Sequence, residues 1–426
     1  MKLICTPETN TIAINDDVLQ LVLYGQPHHQ GQASAGAAIK RLIEREKLQP
    51  ASRAWDLVSL ALSVITADLA SHRNKSPDGW TREFNIEIAV ADADFWNSQH
   101  ENIEKMLAFL TTDLWKIHFI PGGFQPIPIT QPIFPLEDSI VLLSGGLDSL
   151  IGTIDLIASG KKPFIVSQLV RGDTNKQKGF AEKIGKGVRH IIFNHNVRVP
   201  NPEASPTQRS RSLIFLSYGI LIATTLAKYN QTNQVIPLYI CENGFISINP
   251  PLTGGRLGSL STRTTHPIFL QGLQQILDAA GLRIKLENPY QFKTKGEMLI
   301  DCVDQNLLRG LASSSTSCGR FKRYGYKHCG RCLPCQIRRA AFQVWGVEDT
   351  TQYVFTDLGH NDKEHAGFDD VRSVAMAIAE MQDGNFDSWL GGTLSSALVA
   401  HNAQLKDVVY RGLHELAYLH QAYGVT

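Results

Sequence analysis

Ser139-Ile-Val-Leu-Leu-Ser-Gly-Gly-Leu-Asp-Ser-Leu150 is the stretch from which the rest of this 426-residue chain is read. Its apolar run, Ile140 to Leu143, has the character of a buried strand. It breaks at Gly145-Gly146 and resumes with helical spacing through Leu150, Ile151, Ile154 and Leu156 until Gly160. Two glycines at such a break admit backbone conformations closed to other residues and let N–H groups approach a ligand closely. The helix that follows turns its unpaired N–H groups and positive dipole end to the same spot, which suits phosphate. Ser144 and Ser149 add hydroxyl donors, so a pyrophosphate can be held by short hydrogen bonds without a Walker lysine. The pattern GxxxxGKS/T of an ordinary P-loop is absent here. A lone Gly-Gly pair would be read as a turn; the whole string SGGLDS is a sharper signal.

Composition sets the frame around that loop. The chain exceeds what one core usually serves, which predicts two or three domains. A hydrophobic share of 43% with 19% charged residues is that of an ordinary soluble globular protein. A net charge of +1 gives no global case for nucleic acid or an acidic membrane, and nucleic-acid binding is not expected. The start, MKLICTPETN, has no apolar core of signal-peptide length, and Leu213 to Leu226 is interrupted by Ser, Tyr, Gly and Thr, so no membrane span is expected. The expected compartment is the cytoplasm. Seven cysteines, four of them crowded together, fit a metal site in a reducing compartment better than a disulfide framework.

Along the chain, residues 1–135 read as an accessory α/β domain. Ala54 to Leu69 has helical spacing, Asn74 to Gly79 is a turn cluster, Asn102 to Leu110 suggests another helix, and Glu83–Val90 and Leu114–Ile120 alternate as half-buried strands do. Trp55, Trp80, Trp96 and Trp115 are read as buried packing rather than a ligand surface. Four prolines between Gly122 and Pro135 predict an extended linker and a domain boundary. Residues 136–345 then alternate strand and helix, with strands at 140–143, 164–168, 189–193 and 235–240. That pattern predicts a Rossmann-like parallel sheet whose ligand lies beyond the carboxyl ends of its strands. Arg171 and Asp173 follow the second strand on that side, as contacts or as a mere turn. Ser205-Pro206 predicts a helix start that leaves Arg209 and Arg211 near its positive end, where a phosphate or plain solvation would account for them. Glu242 and Asn243 end the fourth strand. The long loop to Pro267 carries Arg256, Arg263 and His266, and Lys293 and Lys295 precede another helix. Residues 346–426 are predicted helical, at 371–381, 394–405 and 408–423; His360 and His365 there read as loop histidines rather than metal ligands.

The second strong signal is Cys318, Cys329, Cys332 and Cys335. The last three, each separated by two residues, can gather around one metal, and Cys318 completes a tetrahedron from upstream, ten residues intervening before Cys329. A structural zinc site is expected, with disulfides and an iron–sulfur cluster as alternatives and His328 as an awkward substitute ligand. Lys322, Arg323, Lys327, Arg331, Arg338 and Arg339 make the segment basic, which offsets thiolate charge.

SGGLDS resembles the pyrophosphate loop of the ATP pyrophosphatases. Taken with Arg211-Ser-Leu-Ile-Phe-Leu216, Glu242-Asn-Gly244, Pro289-Tyr290, Lys293 to Glu297 and the cysteine set, the chain resembles the 7-cyano-7-deazaguanine synthase (QueC) family over residues 138–345. With its added terminal regions it looks closest to the QueC-like proteins of bacterial anti-phage defence operons, the Qat type in particular. The resemblance implies an ATP-dependent carbon–nitrogen ligase that adenylates a 7-deazaguanine carboxylate and passes the acyl group to an amine, either ammonia or the amino terminus of a partner protein from the same operon. It implies phosphate binding by Ser144, Gly145, Gly146, Leu147 and Ser149, with Glu242, Asn243 and Arg263 in the same binding set. Asp148, Arg211 and Lys295 would be catalytic, Asp148 also a candidate for Mg²⁺, and the zinc structural. The family's Gly-Tyr-Pro-Asp-Cys-Arg segment is represented by Leu260 to His266, which keeps Arg263 but lacks the aspartate and cysteine. An RNA-modifying enzyme of the same loop class and an inactive nucleotide-binding scaffold are the other readings.

Overall fold

The computed structural model describes residues 1–7, 18–185, 187–203, 209–250, 252, 263–358, 370–394 and 400–425. The predicted helix start at Ser205-Pro206, Arg256, His360 and His365 lie outside them. The elements in chain order begin with β1 (Lys2–Pro7), β2 (Leu19–Leu23), β3 (Ala33–Ala35), α1 (Ala37–Arg45), α2 (Ser52–Ala70), β4 (Glu83–Val90), α3 (Ala93–Ser98), α4 (His100–Thr111) and β5 (Leu114–Pro121). The middle of the chain supplies β6 (Ser139–Leu142), α5 (Leu147–Ala158), β7 (Pro163–Gln168), α6 (Thr174–Ile184), β8 (His190–Phe193), α7 (Arg211–Ala223), α8 (Ala227–Gln231), β9 (Ile236–Tyr239), α9 (Gly244–Ile248), α10 (Pro267–Ala279) and β10 (Ile284–Glu287). Among the described residues the elements that follow are helices: α11 (Lys295–Asp301), α12 (Gln305–Leu311), α13 (Leu333–Trp345), α14 (Asp370–Gln382), α15 (Phe386–Leu394) and α16 (Asn402–Ala422).

Two five-stranded sheets result, every described pairing parallel, in the orders β3-β2-β1-β4-β5 and β10-β9-β6-β7-β8. Counted within each sheet, both have the order 3-2-1-4-5. Parallel strands need both faces covered, and the second sheet divides its side chains accordingly. Ile140, Leu142, Phe164, Val166, Leu238 and Ile284 face a core shared with the first sheet, whereas Val141, Leu143, Ile165 and Tyr239 face α5, α11, α12 and α13.

The shared core depends on α2. Every residue from Ala54 to Asp68 is buried, which a helix tolerates only when other elements cover it on all sides. The first sheet covers one flank and α7 another. Its polar residues are matched: Asp56 accepts from Ala91 N (2.8 Å) and Trp96 Nε1 (2.9 Å), and Asp68 from Arg82 Nη2 (2.6 Å). The proline-rich stretch after β5 is extended and tied down, with Ile133 N on Lys47 O (2.8 Å) and Ala227 N on Pro135 O (2.8 Å). Where β3 meets the segment after β8, Ser34 and Arg198 exchange both backbone hydrogen bonds (3.0 and 2.8 Å).

Four strands, β1, β2, β3 and β10, were not anticipated from the sequence. The helix predicted at 394–405 is not continuous. α15 ends at Leu394, and α16 begins at Asn402 after His401, whose left-handed φ of 63° no helix continues through.

Candidate active site

In the second sheet the chain direction of the connections reverses between β6 and β9, so the loops leaving those two strands part and open a crevice at their carboxyl ends. One side of that crevice is Ser144-Gly145-Gly146. Gly145 has φ +92°, which an L side chain resists, and a Cβ there would stand 3.2 Å from Asp173 Cβ. The loop is already closed on itself: Gly146 N donates to Ser144 Oγ (3.2 Å), Ser144 N to Ser149 Oγ (3.2 Å), and Ser149 Oγ to Gly146 O (3.0 Å). Gly146 caps α5, whose first turn points its N–H groups outward. Leu147 contributes backbone only, since its side chain is buried in the core beneath.

Facing the loop, the first turn of α5 presents Asp148 to the end of β9. Asp148 Oδ2 accepts from Asn243 Nδ2 (2.6 Å) and Asn243 N (3.1 Å), while Oδ1 lies 2.6 Å from Lys295 Nζ. Lys295 opens α11 behind a Thr294–Glu297 capping box, which fixes where its side chain starts. Lys295, Asp148 and Asn243 are all buried. Burial alone would raise the Asp148 carboxyl, but the Lys295 cation and the hydrogen bonds from its neighbours outweigh it and hold the group down at about 2. Glu242 has the opposite fate: burial and the Asp148 charge push it well above the usual carboxylate range, with Lys295 only partly opposing. The two neighbouring carboxyls are thus pushed in opposite directions, Asp148 toward the charged form by Lys295 and Glu242 toward the neutral form by burial and the Asp148 charge. Asn288 Nδ2 donates to Glu242 O (2.9 Å) and holds that backbone.

Arg211, the first residue of α7, lies within electrostatic reach of Asp173, and burial lowers its pKa while Asp173 opposes the shift. Its position is set by the first half of the chain, because Ser210 Oγ donates to Asp68 Oδ2 (2.7 Å) at the end of α2. Arg209, read as either a phosphate contact or a solvated residue, is neither here: it is buried, donates to Thr111 O (2.5 Å), pairs with the Thr112 hydroxyl and lies over the Trp80 ring. Arg263 is placed apart from the loop, donating to Phe109 O (2.9 Å) and stacked on the Phe109 ring. Lys293 pairs with Asp301 (3.0 Å) on the outside of α11.

Cys318, Cys329, Cys332 and Cys335 converge in a buried cluster, their sulfurs all within 4.8 Å of one another. Two cross pairs, Cys318–Cys332 and Cys329–Cys335, stand at 3.8 and 3.9 Å. Zn–S bonds of about 2.3 Å define a tetrahedron with edges of about 3.8 Å, which these two pairs match, so the donor set fits zinc. Backbone N–H groups of Cys329 and Arg320 point at Cys318 Sγ (both 3.3 Å) and that of Cys332 at Cys329 Sγ (3.2 Å), which suits thiolates. His328 is not a fifth candidate, since its Nε2 accepts from Ser317 N (3.1 Å). Two basic residues of the segment are internal struts, Arg338 bonding Ala312 O, Ser315, Ser317 and Thr351 and Arg339 bonding Gly330 O and Thr356 O, whereas Lys322, Arg323 and Lys327 are exposed.

Sequence reasoning missed how these two centres are joined. Thr316, two residues before Cys318, donates its N–H to Gly145 O (2.9 Å) and its hydroxyl to Asp173 Oδ1 (2.6 Å), and accepts from Lys176 Nζ (2.7 Å). Gln177 Nε2 reaches Ser144 O (2.9 Å) from α6. Asp173 stood in the loop noted after β7 and Lys176 lies in α6, but nothing in the sequence tied either to Thr316.

A doubly wound parallel sheet with a self-closed glycine loop at its switch point, beside a four-cysteine corner, defines an α/β protein of the pyrophosphate-loop class. No protein-family model matches the chain. Among curated proteins it is similar to the 7-cyano-7-deazaguanine synthases. That of Methanocaldococcus jannaschii is 33% identical over 237 residues, which cover 51% of this chain and 99% of the relative. Those of Agrobacterium fabrum (28% over 242 residues; 52% and 93%) and Acetivibrio thermocellus (25% over 244 residues; 51% and 99%) give the same picture. The chain belongs to the 7-cyano-7-deazaguanine synthase family, and about half of it lies outside that match.

Proposed function

We propose that this chain is an ATP-dependent carbon–nitrogen ligase that adenylates the carboxylate of 7-carboxy-7-deazaguanine. The observation that carries the reading is the buried ion pair of Lys295 with Asp148 of the SGGLDS loop, closed by Asn243 at the end of β9, with Glu242 beside it favouring its neutral form. Carboxylate oxygen attacks the α-phosphorus and pyrophosphate leaves; an amine nitrogen then attacks the acyl carbon and AMP leaves. Nothing in that sequence needs a protein nucleophile, so the work is positioning and electrostatic stabilisation. Ser144, Gly145, Gly146 and Ser149 would hold the pyrophosphate portion by backbone N–H and hydroxyl donors. Lys295 and Arg211 would balance its charge, and Asn243 keeps Asp148 aimed. Asp148 would offer its carboxylate to Mg²⁺, whose chemistry is charge neutralisation on the phosphates. The four cysteines would hold zinc as a structural brace.

The amine acceptor in this reading is ammonia, giving the amide, whose oxygen a second ATP would activate so that it leaves to give the nitrile in the relatives' name, or the amino terminus of a partner protein from an anti-phage defence operon. Residues 1–135 and 346–426 are then accessory regions around a catalytic unit at 136–345. A cytoplasmic setting suits seven unpaired, buried thiols; among the described residues no helix is long and apolar enough to cross a membrane. The test is release of AMP and pyrophosphate by zinc-loaded protein with and without 7-carboxy-7-deazaguanine. Release that requires the deazaguanine and disappears in Asp148→Ala is the expected result; release no greater than the variant's would overturn free deazaguanine as a sufficient substrate.

A further inference from the structure

α16 touches both segments that carry the site. Glu415, on its buried face, accepts from the Thr294 hydroxyl and from Gly296 N (3.3 Å), so its carboxylate brackets the residue between them, Lys295. One turn earlier Arg411 pairs with the Glu297 carboxylate and donates to Phe292 O (2.9 Å). The same helix closes on α9. A Cβ on Gly244 would stand 2.9 Å from Val408 Cγ1 and 2.2 Å from Gln291 O, and a Cβ on Gly412 would stand 2.4 Å from the Phe245 ring. Gly244 follows Asn243 directly, and its N–H donates to Lys293 O (2.9 Å). The starts of α9 and α11 are therefore fastened to each other and to α16 at one junction.

Each contact has a physical reason to hold. A carboxylate at the N-terminus of α11 accepts orphan N–H groups and opposes the positive dipole end. Thr294 Oγ1 accepts from Glu297 N (3.1 Å), which leaves its own proton for Glu415. The groups facing Glu415 are Thr294, Gly296 and Glu297 of the α11 segment and Arg411 of its own helix. Burial, the largest influence, lifts its carboxyl to about 7, Glu297 adds to the rise, and the hydrogen bonds and Arg411 oppose it.

We propose that α16 is the positioning element of this site and that Glu415 is the residue that keeps Lys295 on Asp148. The proposal rests on the reading of Lys295 as part of the nucleotide site, and it gives the C-terminal region, beyond the span that resembles the family, a task in the reaction. Residues 138–345 are then insufficient for a fixed Lys295.

The test uses the full zinc-loaded chain and follows modification of Lys295 by an amine-reactive reagent, read by peptide mass spectrometry. In the parent protein Lys295 is 7% exposed and ion-paired, so it is protected. Glu415→Ala is expected to raise its modification rate by roughly tenfold or more, the factor that goes with losing one hydrogen bond to a charged acceptor. Glu415→Gln, which keeps the shape and an acceptor, is expected to restore protection. In turnover Glu415→Ala should lower kcat for AMP release more than it raises KM for ATP, with Glu415→Gln recovering most of the rate. Unchanged Lys295 protection in a folded, zinc-replete Glu415→Ala protein overturns the proposal. Should that variant not fold, Arg411→Met, altered at a partly exposed position, takes its place: increased modification of Lys295 supports the proposal and unchanged modification overturns it. Because labelling needs no turnover, loss of protection in a protein that never releases AMP would sink the adenylation reading while leaving the positioning role standing.

Discussion

Replacing Glu242 by glutamine is expected to make the protein more stable, by an amount that grows with pH. The parent Glu242 carboxyl is pushed well above its ordinary 4.5 by burial and by the Asp148 charge, so the native state keeps a proton that the unfolded chain releases. A native state that binds the extra proton loses stability as pH rises: about 1.4 kcal/mol per pH unit, starting at the unfolded value and continuing as long as native Glu242 holds its proton. Asp148 contributes with the opposite sign. Its carboxyl is lowered from 3.8 to about 2, so its share is fully present above about pH 4 and lost only as the pH falls through about 2. Above about pH 5 the Asp148 share is constant; Glu415, raised to about 7, and the buried histidines, lowered to about 4, add the same slope to parent and variant, so the difference between the two slopes reports Glu242. Glutamine keeps the shape, a donor toward Asp148 and the neutrality, and has no proton to lose. The assay is denaturant unfolding of parent and Glu242→Gln at about pH 5, 6 and 7, with zinc present throughout and slopes compared as well as midpoints. The two curves should diverge with pH, the variant gaining on the parent. Parallel profiles would mean that Glu242 is ionised in the native protein and that the paired-carboxyl description of the site is wrong. The same substitution should impair AMP release, since it fixes one protonation state in the group beside Asp148.

Two further perturbations test what holds the site in place. Cys335→Ser is expected to abolish stoichiometric zinc, measured by elemental analysis, and to speed amide hydrogen exchange across residues 144–149 and at Thr316, whose N–H rests on Gly145 O; a zinc-free protein whose loop stays protected would show that the cysteine corner does not brace it. Arg82→Met leaves Asp68 and Asp113 buried without the guanidinium that bonds both at 2.6 and 2.7 Å, and should cost about 3–5 kcal/mol in denaturant unfolding, against nothing measurable if the cluster is screened.

The sequence showed best what short-range pattern decides. β4, β6 and β7 carry runs of alternating or continuous apolar residues bounded by turn formers, and the SGGLDS string announces strand, turn and helix within a dozen residues. β1 and β3 could not be read that way. β1 buries Leu3 and Cys5 between Lys2 and Pro7, and β3 is Ala-Ser-Ala, a strand only because β2 lies beside it and Arg198 closes its edge. In the candidate site the resemblance named Asp148 and Lys295 as catalytic and Asn243 in the binding set, without contacts among them, and the structure brings the three together. What holds them was invisible, because Thr316 reaches Gly145 and Asp173, and Glu415 reaches Thr294, across more than a hundred residues. Arg209 and Arg263 drew notice as cations, but their partners are carbonyl groups of Thr111 and Phe109 in the first half of the chain, and a carbonyl leaves no trace in a sequence.

Those same contacts show what the first and last regions of the chain do for the candidate site. The first region grips α7 at its start, through Asp68 on Ser210 and Thr111 on Arg209, and grips the segment before α10 through Phe109 on Arg263. The last region grips the starts of α9 and α11 through Val408, Arg411 and Glu415. Arg211, Asn243 and Lys295 all sit at helix starts held in this way, while the glycine loop is held by its own hydroxyls and by Thr316. A helix start is where a chain frays most readily, and a charge carried there is only as well placed as the contacts that hold the first turn. Regions fastened to those three starts stiffen the charges around the glycine loop, the phosphate site in the proposed function, and leave the loop itself unchanged. Loss of either region should therefore appear as misplaced charge before it appears as a lost nucleotide site.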